Sequence, residues 1–320
     1  MVSVPKKRGL DMFKKYKSNF MLIIMLLTLI IMFSTTNTFF FKWYNFKNIL
    51  DQSTLNIIIG IGMTFVICTA GMDLSVGSIA AFSGVILALS VHSGIHLGFS
   101  IILALLVGSI IGFLNGLLIS KIKINPFIVT LSSLSIWRAL TLIFTKSSPI
   151  YGFPKRFTFI GTGSFMGIPI TVILCSFVMI IGIITFKNTK LGYYALALGS
   201  NEEALRRTGV CTNFYKILIY TISGFLSALA GIILTSKLNC ADPLAANMME
   251  MDVIATVILG GTSIKGGKGT ILGTLIAGLL LSVLRNGLTL NGIAPYYQQL
   301  LVGLIIIIAV ILSEKCFTKN

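Results

Sequence analysis

The chain has 320 residues, of which 55% are hydrophobic and only 11% charged, and its mean hydropathy is +0.96. Soluble domains carry about 25% charged residues, so a soluble globular fold is excluded and an integral membrane protein with several spans is indicated. The formal net charge of +16 does not point to nucleic acid, because the basic residues lie between apolar runs.

Ten apolar stretches follow one another, at roughly 20–41, 54–72, 74–92, 97–119, 126–145, 169–186, 214–236, 251–263, 270–290 and 295–313. This predicts an all-α, polytopic integral membrane protein of about ten transmembrane helices. The eighth stretch is too short for a full crossing and is expected to be broken or re-entrant, a form tolerated only where protein or water covers the backbone. The chain reads as one transmembrane domain over 1–320, with a cytoplasmic tail at 1–19. With the N-terminus inside, only Lys42, Lys47, Lys146, Lys155, Arg156 and Lys237 fall in outer segments, and Arg138 and Arg285 fall within spans. The other basic residues are cytoplasmic, so both termini and the 187–213 loop are placed inside.

Taken in chain order, the N-terminal PKKRGLDMFKKYK and the apolar run behind it read as a first span rather than a cleaved signal, since no clean small-x-small site follows. Trp43 and Tyr44 fall at a predicted membrane interface, as do Tyr296 and Tyr297. Asp73, just after the second stretch, reads as an N-cap of the third or as a mechanistic group. His92 and His96 lie in a short outer loop with no acid or cysteine at ligand spacing, so a surface role is expected. In the fourth stretch Gly108, Gly112 and Gly116 repeat every four residues; in the seventh Ser223, Ser227 and Gly231 do the same. Small residues on one face let helix backbones approach closely, so a packing role is read for both. Asn125 and Pro126 form an N-cap and first-turn proline. Arg138, inside the fifth stretch, reads as a pathway-lining charge or an inter-helix partner. The outer segment 146–168 is too polar to span.

Residues 187–213, KNTKLGYYALALGSNEEALRRTGVCTN, interrupt the hydrocarbon-like chain and hold a short helix. Ser200 or Asn201 can N-cap it. Glu202 and Glu203 fall in its first turn and Arg206 and Arg207 in its last, pairing Glu202 with Arg206 and Glu203 with Arg207. Gly209 suits a left-handed stop. The segment reads either as a solvated connection or as a docking element for a cytosolic partner.

No enzyme constellation appears. The cysteines (Cys68, Cys175, Cys211, Cys240 and Cys316) are scattered without metal spacing and read as small hydrophobes. GGTSIKGGKGT at 260–270 lacks the lysine that a phosphate-binding loop needs after its second glycine position, since Gly267 stands there. Any ATP must be bound by another chain.

Five stretches together resemble the permease subunits of bacterial monosaccharide ABC importers, the ribose transport group. They are GMDLSVGSIAAFSGVILAL (71–89), NPFIVTLSSLSIWRAL (125–140), LGYYALALGSNEEALRRTGV (191–210), GGTSIKGGKGTILGTLIAGLLLSVLRNGL (260–288) and APYYQQLLVGLIIIIAV (294–310). The resemblance implies a bacterial cytoplasmic-membrane protein with no cofactor of its own. Its implied partners are a cytosolic ABC ATPase, an extracytoplasmic sugar-binding protein and a second permease subunit. It implies ATPase coupling through Glu202, Glu203, Ala204 and Gly209. Asp73, Ser75, Gly77, Arg138, Gly260, Gly261, Gly266 and Gly267 are signature positions near the pathway. The chain departs from the family's pattern at Glu203, where alanine is common, and at Ala139, where glycine often follows the arginine. The resemblance implies a monosaccharide, with ribose first and other pentoses, galactose, inositol or a furanosyl signalling molecule beside it. A branched-chain amino acid permease is a rival within the class, and a stand-alone secondary carrier is a rival outside it.

Overall fold

A computed structural model describes residues 7–317, with side chains described from Phe20 to Ile307 apart from residue 306. Residues 1–6 of the basic tail and Lys319 lie outside the described residues, and the Cys316 side chain lies outside those described. The described chain is helical almost throughout. In order, the helices are α1 (Lys7–Thr36), α2 (Trp43–Cys68), α3 (Val76–His92), α4 (Leu97–Ser120), α5 (Pro126–Thr145), α6 (Lys155–Thr162), α7 (Ile170–Asn188), α8 (Lys190–Arg207), α9 (Thr212–Leu238), α10 (Met249–Leu259), α11 (Ile271–Leu290) and α12 (Pro295–Phe317). Four two-residue strands, β1 (Ile150–Tyr151), β2 (Ser164–Phe165), β3 (Ile168–Pro169) and β4 (Cys240–Ala241), form two antiparallel pairs, β1 with β4 and β2 with β3.

The spans run back and forth, so two ends of the bundle can be distinguished. One end holds the α2–α3 and α4–α5 turns, α8 and the α10–α11 turn. The opposite end holds the α3–α4 turn, the β-pairs and α6. Six helices (α2, α4, α5, α7, α9 and α11) are long and apolar enough to cross a membrane, and the apolar parts Phe20–Thr36 and Val76–His92 are shorter. The figure of ten therefore counts apolar stretches, not helices of full spanning length. Where lipid would lie, α4 presents Phe99, Ile102, Leu106 and Ile110, all exposed and apolar. An exposed surface of that kind suits hydrocarbon rather than water.

The second predicted stretch, 54–72, is displaced: α2 begins at Trp43 and ends at Cys68. Its polar first turns are compatible with a span because partners satisfy them. Asn45 donates to the Phe40 carbonyl and to Asn286 of α11, each at 2.9 Å. Asp51 pairs with Lys237 at the end of α9 and accepts from Thr171 of α7. Hydropathy alone sees the charge but not the partner.

The small-residue faces pack as predicted. A Cβ on Gly112 would stand 2.2 Å from the Tyr220 carbonyl oxygen, and one on Gly116 2.7 Å from the Ile217 Cα, so α4 and α9 meet backbone to backbone. On α9, Ser223 lies against Gly62 of α2, and Gly231 against the Ala80 carbonyl of α3. This makes α9 the central post, with α2, α3 and α4 around it. The main apolar core is built largely from α2, α9 and α10, including Ile58, Met63, Val66, Ile219 and Val257.

Candidate functional site

The docking candidate lies in α8, which is longer than the short helix read from sequence and is broken once. Asn201 is extended (φ −163°, ψ 96°), and it divides the helix into 190–200 and a terminal segment 202–207. The break has a cause in the side chains. Asn201 Oδ1 accepts from the Ala204 amide at 2.9 Å and so caps the second segment, while Ser200 Oγ turns back to the Leu196 carbonyl at 3.0 Å. Asn201, and not Ser200, is therefore the cap.

The predicted charge pairing is half right. Glu203 accepts from Arg206 at 2.6 Å and from Arg207 at 3.3 Å, whereas Glu202 pairs with Lys216 of α9 at 2.6 Å and not with Arg206. Position 206 is three residues from Glu203 and four from Glu202, and both spacings are in reach on a helix. The nearby Lys216 decides between them by drawing Glu202 toward α9. Gly209 has φ +83° and its amide donates to the Arg206 carbonyl at 3.0 Å, the left-handed stop expected there. Leu205 is buried and anchors the segment, while Glu203, Ala204, Arg206, Arg207 and Gly209 are exposed together. The result is a short, capped, charged ledge projecting from an otherwise apolar body.

Directly beneath the ledge three stretches meet with no side chains between them. A Cβ on Gly199 would lie 2.0 Å from the Cys68 carbonyl oxygen and 2.5 Å from the Gly267 amide nitrogen. The Gly267 amide itself donates to the Cys68 carbonyl at 2.9 Å, satisfying one of the orphan carbonyls at the end of α2. The 260–270 stretch is thus a tight turn joining α10 to α11, closed by Ser263 N–H to the Lys268 carbonyl at 3.0 Å. Gly260 and Gly261 sit at the α10 end of this turn, Gly266 and Gly267 at its tip. Gly199 is the residue that reading the sequence misses; its position one residue before the Ser200–Asn201 break was the available signal.

A second constellation lies one layer further in, at the α2–α3 turn. Asp73 is fully buried. Its Oδ1 accepts from the Ser75 amide at 3.1 Å and the Ser75 hydroxyl at 2.6 Å, and its Oδ2 accepts from Ser223 of α9 at 2.8 Å. Asn115 of α4 donates to Ser75 Oγ at 3.0 Å. Next door, the Met72 carbonyl accepts from Tyr220 of α9 at 3.2 Å and Thr130 of α5 at 3.4 Å. Asp73 is therefore not the N-cap of α3, a position that Ser75 holds because its carbonyl accepts the first helical bond, from Ile79; Asp73 instead closes the turn that leads into the helix and ties that turn to α4 and α9. Gly77 is needed for another reason: a Cβ there would meet the Ala246 carbonyl at 2.5 Å and Glu250 Oε2 at 2.7 Å.

The α10 half-span has 11 residues, or about 16 Å at helical rise against roughly 30 Å of hydrocarbon. Its far end is held by arginines. Asp252 pairs with Arg285 of α11. Arg138 donates to the Pro243 carbonyl at 2.7 Å and the Ala245 carbonyl at 2.9 Å, so it clasps the segment leading into α10. Of the two sequence readings, this is the nearer to the inter-helix partner, with main-chain carbonyls of the segment before α10 as the partners. Replacing Arg138 by alanine is expected to leave both carbonyls without their donor. A charged hydrogen-bond set of this kind contributes about 1.5–3 kcal/mol, so the Ala245 amide should exchange with deuterium roughly tenfold faster or more. Unchanged exchange across 242–248 would show that the clasp carries no weight.

His92 and His96 are exposed, as the surface reading expects, and His96 adds a local role: its Nδ1 accepts from the Gly98 amide at 3.2 Å and caps α4. His92 contacts the Tyr151 carbonyl at 2.8 Å.

A family model described as "Branched-chain amino acid transport system / permease component" matches residues 45–310. The ribose import permease protein of Haemophilus influenzae is 42% identical, over 93% of this chain and 93% of that protein. The chain belongs to the permease family of ribose-type ABC importers. The ribose import permease protein of Bacillus subtilis is 43% identical over 91% of each chain, and the D-allose transport system permease protein of Escherichia coli is 36% identical over 94% of this chain and 91% of that one. No solved structure matches. The family model's title names amino acids, but these relatives are sugar permeases and favour the sugar branch, as the Asp73–Gly77 run suggested. With its apolar helices, the chain is a multi-pass membrane protein.

Proposed function

We propose that the chain is the pathway-forming permease of an importer for ribose, working in the bacterial cytoplasmic membrane. The observation that carries this is the near-full-length identity of 42–43% to two ribose permeases, against 36% to the D-allose permease. The asymmetry of Lys and Arg supports cytoplasmic termini and a cytoplasmic α8. On that orientation the α8 ledge docks a separate ABC ATPase, with Glu202, Glu203, Ala204 and Gly209 at the contact. A soluble sugar-binding protein delivers ribose to the opposite end, and a second permease subunit completes the pathway. ATP is bound by the ATPase, and this chain needs no cofactor of its own.

Mechanistically, the broken α8 gives the partner a firm handle. Asn201 fixes the angle of the 202–207 segment, Leu205 roots it, and the exposed Glu203–Arg206–Arg207 cluster offers charge of both signs for a complementary cleft. The energy of ATP closure then has a rigid point of application on the bundle.

The test is reconstitution in liposomes with the ATPase and binding protein of the same transporter, comparing ATP-dependent uptake of labelled ribose and allose. Uptake of ribose well above allose is expected. Uptake of ribose that continues without ATPase would instead support a stand-alone carrier. Allose taken up in preference to ribose would reassign the sugar and leave the permease class intact.

A further inference from the structure

The junction beneath the ledge suggests how motion at α8 reaches the membrane interior. Gly199 of α8 lies against Cys68 at the end of α2 and against the Gly266–Gly267 tip of the α10–α11 turn. The contact is backbone on backbone, and side-chain rotamer changes cannot absorb a displacement there. The contact continues inward in the same manner. A Cβ on Gly273 would stand 1.9 Å from the Gly260 carbonyl oxygen, so the first residue after α10 and the first turn of α11 also touch directly. Thr274 of that turn then bonds Thr64 of α2 at 2.8 Å. The far end of α10 is clasped by Arg138 and by the Arg285–Asp252 pair. A half-span is thus gripped at one end by arginines and bears at the other on the helix that carries the ledge.

We propose that the 260–270 turn is the element through which α8 moves α10, and that Gly199, Gly266 and Gly267 are positioning residues for the coupling of ATP hydrolysis to sugar movement. This rests on the docking role assigned to α8 above. The physical requirement is a contact that transmits and does not yield. Interiors packed to crystal density shift between discrete arrangements rather than deform continuously, so a backbone contact of this kind passes displacement on. The glycines serve that end. Gly267 has φ +74°, where an L-residue is strained, and a Cβ there would stand 2.5 Å from Ser200 Oγ and 3.3 Å from the Ser200 Cα and amide nitrogen, so either the hydroxyl leaves its bond to the Leu196 carbonyl or α8 shifts away from the turn.

Gly292, in the α11–α12 turn, provides the matched control. Its φ is also +74°, but a Cβ there would meet nothing within 4 Å. Gly267→Ala and Gly292→Ala therefore place an L-residue at the same φ, and only the first disturbs the junction. The full transporter would be assembled in proteoliposomes with each variant. ATPase co-purification, ATP hydrolysis and uptake of labelled ribose would then be measured side by side. Gly267→Ala is expected to keep its ATPase and its ATP hydrolysis while uptake falls about tenfold or more, and Gly292→Ala to stay within about twofold of the unaltered protein. Adding Ser200→Ala to Gly267→Ala removes the hydroxyl that the new methyl would strike, and is expected to restore most of the uptake.

Equal uptake by the two single variants would overturn the inference. So would loss of ATPase binding in step with uptake, because the turn would then be part of the docking surface. Loss of every activity without rescue by Ser200→Ala would overturn it too, leaving a purely structural turn. If the unaltered protein recovers no ATPase, the docking role itself fails, and this inference fails with it.

Discussion

Glu203→Arg is expected to uncouple the transporter while leaving the permease folded and inserted. Among the described residues, Glu203 is the acid that holds both Arg206 and Arg207, at 2.6 and 3.3 Å. Both partners are exposed, and exposed ion pairs contribute at most about 1 kcal/mol, so the fold loses little. The local consequence is larger. Reversal puts three arginines on a segment of six residues held by one cap and one buried leucine, and it removes the acid from the first turn, where it complements the helix dipole. Like charges brought into an interface cost several kcal/mol, so ATPase association and ribose uptake should each fall about tenfold or more. Glu203→Gln separates the two effects. It removes the pairing without adding charge, and it should retain substantial uptake. Fluorescence-detected size exclusion would report the fold, co-purification the docking, and vesicle uptake the coupling. A Glu203→Arg protein that still binds the ATPase and transports ribose at the normal rate would remove the ledge from the docking surface.

Much of this architecture was legible in the sequence for identifiable reasons. Apolar stretches mark spans because the bilayer leaves the backbone no other partner, and four-residue glycine spacing marked the α4–α9 contact because close approach admits nothing larger. The Asn125–Pro126 start of α5 and the left-handed Gly209 were readable from local stereochemistry. What stayed hidden depended on residues distant in sequence. The early start of α2 needed Asn286 and Lys237, which lie far along the chain from Asn45 and Asp51. Glu202 turned to Lys216 because α9 folds back beside α8, a choice that helical spacing does not encode. Arg138 was noticed as an intramembrane charge, but its partners are main-chain carbonyls, and any sequence supplies those. The 260–270 glycines were visible as a motif, while the contact that gives them meaning, with Gly199, required the fold.

Asp73→Ala is expected to destabilise the bundle strongly. The carboxylate accepts from the Ser75 amide, the Ser75 hydroxyl and the Ser223 hydroxyl, and Asn115 joins through Ser75. All four residues are buried, so the donors that lose the acceptor are out of reach of bulk water. Each buried donor left without a partner costs about 1–3 kcal/mol, and three are stranded at once, so a loss of roughly 3 kcal/mol or more follows. The effect concentrates at one place, because this network holds the α2–α3 turn against α4 and α9, while Tyr220 and Thr130 grip the adjoining Met72 carbonyl. Asp73→Asn is the informative companion. Its amide keeps one strong acceptor for Ser75, and it presents an N–H₂ group toward Ser223, whose hydroxyl can rotate to accept. Most of the network can then be rebuilt, and the loss should be less than half that of alanine. Thermal unfolding in a mild detergent, followed by the loss of the monodisperse size-exclusion peak, measures both. Near-equal melting for Asp73→Ala, Asp73→Asn and the unaltered protein would mean that the carboxylate is not needed for the turn. A stable Asp73→Asn protein that fails to transport would instead move Asp73 from the frame of the bundle into its working cycle, since its charge would then matter beyond its hydrogen bonds.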